Sequence, residues 1–321
     1  MTTLAASPVT ERAVAFVAER RDAAEAIGHE LADQLSDPDL FATDLRAGLQ
    51  SLADPAYIEG QRRVAPGIGV VLGVRWPLIE AVKRGFREAT RNEGTGGWLF
   101  VADRLVREPE LELRWFAFGL LERLIAEDPE RTWQLVRRAA REAADWITVD
   151  TLGHVVGKGI LAEPYRWSEL DQLVYSPSRW ERRLVGSTIA TTPFIERRRG
   201  REPVVAERGL LLIGQLIGDS EPDVQKALAW ALRSLTLVDP DAVTAFCEAE
   251  ADRAAATSDG HRAWVIRDAL AKLDPRRAAT LRATLDGIRR RPGAPSTSEA
   301  SAVAARYGGG ILGAPMPEPP L

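Results

Sequence analysis

Helical periodicity of the apolar residues constrains this chain more than any other feature. ERLIAEDPE from Glu122, TWQLVRRAAREAADW from Thr132, GLLLIGQLIG from Gly209 and VQKALAWALRSL from Val224 all place apolar residues at i, i+3, i+4 and i+7. Alternation of β-branched and polar residues is nearly absent. One strand candidate stands out, Gly67-Ile-Gly-Val-Val-Leu-Gly-Val74, and it carries three glycines and runs into Trp76-Pro77. Helix punctuation recurs at Asp128-Pro129, Ser176-Pro-Ser178, Ser220-Glu-Pro-Asp223 and Asp239-Pro240. An all-α chain is expected, with more than roughly 60% helix and almost no sheet.

The helices pair. Between Glu110 and about Pro275 the order is helix, short turn, helix, with Trp115, Trp146, Trp180 and Trp230 as recurring landmarks. Their intervals bracket the ~40–47 residues of HEAT and armadillo units, with an insertion at Pro193–Pro203 in the last one. Stacked units of this kind form an α-α superhelix, here expected to be C-shaped with a concave binding face. One HEAT-like repeat domain over residues 1–290 is expected. From Arg291 to Leu321 the Pro/Gly/Ala-rich composition reads as a flexible tail.

Composition removes several function classes. The formal charge of −4 gives no overall electrostatic reason to bind nucleic acid, so any basic surface must be local. Candidate clusters are Arg137–Arg138, Arg182–Arg183 and the arginines of 197–201. The single cysteine, Cys247, allows neither an internal disulfide nor a cysteine metal site. His29, His154 and His261 are scattered, and Asp150 with His154 is only half of a helical metal pair. Neither metal nor cofactor is expected. Glu11 and Arg12 interrupt the N-terminus before any signal-length apolar run, and Gly209–Gly218 is far short of the ~20 residues that span a bilayer. A cytoplasmic monomer with no membrane partner is expected.

Gly153-His-Val-Val-Gly-Lys-Gly159 looks like a phosphate loop at first sight. A Walker A loop needs four residues between its glycines and Ser or Thr after the lysine, and this segment has neither. Close helix approach or helix termination accounts for these glycines better. Just upstream, Trp146 and Asp150 stand one helical turn apart and share a face. Taken singly, a core Trp and a solvated Asp are the ordinary reading. In a solenoid, however, successive repeats set equivalent positions side by side, so Trp180-Glu-Arg-Arg183 and Gln225-Lys-Ala-Leu-Ala-Trp230 could converge on the same wall.

Those runs, together with Leu72-Gly-Val-Arg-Trp-Pro77 and Leu212-Ile-Gly-Gln-Leu216, resemble the HEAT-like-repeat DNA alkylation-repair glycosylases (the AlkD family) over about residues 55 to 275. The resemblance implies a DNA glycosylase that excises cationic N3- or N7-alkylated purines from duplex DNA without flipping the base. It implies Asp150 as the catalytic carboxylate and Trp146 and Trp230 as aromatics against the damaged nucleotide. It implies Arg183 as a phosphate contact, with Arg182 and Lys226 beside it as DNA-binding residues. The alternative is a non-catalytic HEAT-repeat scaffold that binds DNA or a protein, in which the tryptophans are core and Asp150 is incidental.

Overall fold

An acidic residue followed by proline opens helix after helix. The proline supplies a preset φ at the first helical position, and the acid's carboxylate takes up amides that the first turn leaves unpaired. Asp37 accepts from the amide of Leu40, Asp239 from Ala242, and Asp274 from both Arg276 and Arg277. The computed structural model describes residues 8–64 and 68–308. It is 78% helical, and among the described residues there are sixteen α-helices and no strand, an all-α helical-repeat architecture.

Two compact units divide between Leu135 and Val136. The first contains α1 (Pro8–Glu30), α2 (Pro38–Ser51), α3 (Pro55–Val64), α4 (Trp76–Ala89), α5 (Thr95–Leu105) and α6 (Leu111–Glu127). The next helix, α7 (Pro129–Glu142), runs across the division. The second unit contains α8 (Trp146–Ala162), α9 (Trp167–Leu173), α10 (Arg179–Ile195), α11 (Pro203–Leu216), α12 (Pro222–Leu235), α13 (Pro240–Thr257), α14 (Gly260–Ala269), α15 (Pro275–Thr284) and α16 (Glu299–Gly308).

The one strand candidate, 67–74, does not form a strand; Gly67 lies outside the described residues, and the rest is loop. Gly69 and Gly73 take positive φ, 86° and 85°, which breaks strand geometry. The amides that a neighbouring strand would have bound go instead to one fully buried side chain. The Glu112 carboxylate accepts from Leu72 at 2.9 Å, Gly73 at 2.8 Å and Val74 at 3.2 Å. A single isolated bridge, Val70 to Glu110, is all the strand pairing among the described residues.

In the second unit α10 is flanked by α8 and α12, with α14 next to α12. Helices α9, α11 and α13 pack behind. Paired contacts show that the front helices run parallel. Gly153 and Gly157 meet Ser187 and Thr192, Arg183 and Gly186 meet Asp223 and Ala227, and Gln225 and Arg233 meet His261 and Asp268. Successive equivalent positions are therefore 34, 41 and 36 residues apart. Trp146 and Trp180 are equivalent by this register, as the landmarks suggested. Trp230 is not: the α12 position equivalent to Trp180 is Glu221.

The glycines of the 153–159 segment are the means of close approach. A Cβ on Gly153 would lie 2.9 Å from the Ser187 carbonyl carbon, and one on Gly186 2.8 Å from Ala227. Helix backbones touch there because no side chain stands between them.

The segment read as a flexible tail from Arg291 is tied down through its first part. Thr297 donates its amide to the Gly218 carbonyl at 2.9 Å and its hydroxyl to Asp259 at 2.5 Å. Ser298 and Ala300 are buried, and α16 packs on α11. Residues 309–321 lie outside the described residues.

Gly153→Ala tests the role of helix contact. Alanine would gain ~1 kcal/mol of helix propensity, whereas forcing a methyl into a closed contact costs about 1–3 kcal/mol. Thermal melting is expected to show net destabilisation; a raised Tm would show that the two helices are not held this closely.

Candidate functional site

Each front helix of the second unit is buried on its flanks and back, which leaves one stripe accessible. On α8 the stripe is Asp150, His154 and Lys158, and on α12 it is Lys226, Trp230 and Arg233. Thr191 and Phe194 hold it on α10 and Trp264 on α14. All of the substrate-facing residues expected from sequence except Arg182 and Arg183 border this open face.

Asp150 is the centre of the arrangement. Arg183 grips its carboxylate with two parallel bonds, Nε to Oδ1 at 3.0 Å and Nη2 to Oδ2 at 2.8 Å. The third guanidinium nitrogen, Nη1, donates to the backbone carbonyl of Asp223 at 2.6 Å. The Ser187 hydroxyl donates to Asp150 Oδ1 at 2.5 Å. Charge-assisted and bidentate bonds of this type are short and directional, so the carboxylate is fixed in place. Its side chain keeps 18% of its surface exposed, against 6% for Arg183. Trp146, 37% exposed, stands at the α8 N-terminus with the Arg183 guanidinium 5.9 Å from its ring centroid. Asp145 caps the same helix, accepting from the amide and hydroxyl of Thr148, both at 2.8 Å.

Trp146, Asp150 and Arg183 are thus brought together, as expected. The role expected of Arg183 differs from its setting: it is nearly buried and committed to Asp150 and Asp223 rather than presented to solvent. Carried across by the helix register, the level of Asp150 falls at Leu184 on α10 and at Gln225 on α12. Lys226 is next to that level and exposed. Trp230 is five residues further along α12, roughly 7.5 Å along its axis, and α10 lies between it and Asp150. It shares the face without touching the cluster.

The other arginines expected to form a basic wall are largely tied to the protein. Arg182 bonds Asp219 at 2.7 Å and the carbonyls of Ser176 and Pro177. Arg199 bonds the Leu161 carbonyl, and Arg201 the Pro193 carbonyl. Arg197 and Arg198 stay exposed.

Among the described residues no group of three or more His, Cys, Asp or Glu is placed to hold a metal. No helix there is long and apolar enough to cross a membrane. Burial pushes the Cys247 thiol up to about 12, so it is not a thiolate nucleophile.

With that geometry in view, comparison with known families gives a match over residues 45–273, to the family described as DNA alkylation repair enzyme. The chain belongs to the DNA alkylation repair enzyme family. The match covers well over half of the 321 residues and includes α8, α10 and α12 whole. It begins about ten residues before the resemblance read from the motifs and ends close to it. A search of curated proteins finds no match.

Ser187 was missed from sequence. Its signal was weak but present: a hydroxyl one turn after Arg183 inside an otherwise apolar and small-residue run. Ser187→Ala removes one bond to a charged acceptor, and urea unfolding is expected to show a loss of about 1.5–3 kcal/mol. Unchanged stability would mean that the hydroxyl is not tied to Asp150.

Proposed function

We propose that this family member is a DNA glycosylase acting on cationic N3- or N7-alkylated purines in duplex DNA. The observation that carries the reading is the Asp150 carboxylate, clamped by Arg183 and Ser187 yet still open to solvent beside Trp146.

An alkylated purine that already bears positive charge leaves without a general acid. Heterolysis of the C1′–N bond sends its electron pair to the purine, which departs neutral, and positive charge develops on the sugar. A fixed carboxylate stabilises that charge without having to reorganise, which is the main source of electrostatic catalysis. For a lone carboxylate at ~4 Å and an effective dielectric of 20 the attraction is about 4 kcal/mol, and the paired Arg183 guanidinium reduces it here. The same oxygen can orient a water for attack on C1′ and accept its proton. Trp146 adds an aromatic face, worth ~0.5–2 kcal/mol to an adjacent cation. Arg183 acts through Asp150, holding the carboxylate's direction. Lys226 and Trp230, on the same face across α10, are proposed to meet the DNA backbone and sugar rather than the departing base. The partner is alkylated double-stranded DNA and the protein acts as a monomer.

The non-catalytic scaffold keeps one observation on its side: a nearly buried, bidentate Arg–Asp pair is also what a structural clamp looks like. Asp150→Asn separates the two. The glycosylase reading expects release of 7-methylguanine or 3-methyladenine to fall by roughly 10²–10³-fold, with little change in DNA affinity. Because the substitution leaves Arg183 without its counter-charge, both readings expect a lower Tm, with unfolding free energy reduced by up to the ~3–5 kcal/mol of a broken buried pair. Excision is therefore compared below the variant's melting transition. Wild-type protein that binds alkylated duplex and releases no base would remove the glycosylase reading.

A further inference from the structure

The chain between Leu285 and Ser298, past the end of the family match, passes the N-terminal ends of α14 and α12 and is held at several points along its length. Arg267 donates to the carbonyls of Leu285, at 2.6 Å, and Ile288. The Arg289 backbone lies against Gly260, where a side chain would strike it. His261 Nε2 is 3.3 Å from the Ala294 carbonyl, and Thr297 is bound to Gly218 and Asp259. A strap so attached presents its side chains from a set position.

Two of those side chains are arginines with unused capacity. Arg290 lies over the Trp264 ring at 4.6 Å and gives Nη1 to Gln225 at 2.6 Å. Neither Arg290 nor Arg291 has an ion-pair partner among the described residues. They line a cleft of about 730 Å³ with His261, Ser220 and Glu221, and the Glu221 carboxylate is 3.7 Å from Arg179. The cleft thus has an excess of positive charge in an otherwise acidic protein.

Its position follows from the helix register. The level of Asp150 falls at Gln225 on α12, which holds Arg290, and at His261 on α14, which lines the cleft. Axes of packed helices are ~8–10 Å apart, which puts the cleft two to three spacings, roughly 16–30 Å, from Asp150 along the layer. DNA rises ~3.4 Å per base pair, so this span is about 5–9 base pairs.

We infer that the strap is a second DNA-backbone site, in which Arg290 and Arg291 bind phosphodiesters of the duplex about 5–9 base pairs from the damaged nucleotide. Trp264 and Gln225 hold Arg290 flat, leaving Nε and Nη2 to donate to phosphate oxygens; the exposed Arg291 adds a second cation. The location of the damaged nucleotide rests on the glycosylase reading, whereas the phosphate site does not.

The test is binding of the Arg290→Gln/Arg291→Gln double variant to two lesion-centred duplexes. One has about 30 base pairs, and the other is hairpin-closed with about 8, too short to reach the strap. On the long duplex the variant is expected to bind several-fold more weakly, with a log–log salt slope shallower by about 2. On the short duplex it should match wild type, and single-turnover excision at saturating protein should be unchanged. Equal binding to both duplexes by both proteins, or an equal loss on both, overturns the inference. Arg291→Gln alone, at an exposed residue without a partner, is expected to reduce the slope by about 1 even if the double variant folds poorly; an unchanged slope counts against the site. If wild type releases no base while the strap variant still loses slope on undamaged long duplex, the glycosylase reading falls and the phosphate site stands.

Discussion

Arg183 touches three consecutive front helices at once. It belongs to α10, bonds the Asp150 side chain on α8 with two nitrogens, and uses the third on the Asp223 carbonyl of α12. Burying a guanidinium is costly unless its donors are satisfied, and this one is satisfied by a neighbour on each side. The same bonds that set the lateral order of the helices also fix the direction of the Asp150 carboxylate on the open face. Stability of the layer and geometry of the candidate site are therefore a single arrangement. That coupling is why a substitution at Asp150 is expected to alter the candidate site and the stability of the layer together.

The pair could not close without the spacing around it. Gly153 and Gly186 let backbone meet backbone on both sides of α10, which brings Asp150 within direct reach of Arg183 and Ser187. A larger residue at either position would push the helices apart and lengthen those bonds. The opening resemblance of Gly153–Gly159 to a phosphate loop has its explanation here: the glycines serve helix contact, and the anion-related chemistry of the segment is Asp150 itself. Beyond the repeats, the strap of 285–298 shows the same economy of contact, using Gly260 and Gly218 as the places where chain can lie on chain.

Much of the fold was legible because helical period and acid-proline helix starts are local properties. Membership of the family was legible because its runs of residues stay contiguous within single helices. What the residues alone do not give shares one cause. Gly67–Val74 is loop rather than strand, and the partner for its amides is the Glu112 carboxylate, forty residues on. Trp230 looked like the next landmark after Trp180, but only contacts between α10 and α12 reveal that Glu221 holds that position. Arg291 onward looked like linker by composition, and its anchors, Gly218 and Asp259, are far away in sequence.

The helices, their approximate order in pairs, and the adjacency of Trp146 and Asp150 on one helical face can be read from the residues alone. They follow from periodicities of 3.6 residues and from capping, which need no knowledge of distant segments. What Arg183 does depends on how the helices pack. A guanidinium can serve equally well at a phosphate or at a carboxylate, and which it meets depends on how far apart α8, α10 and α12 lie. That separation is set by two glycines, each acting against a different helix, and no local pattern records the distance.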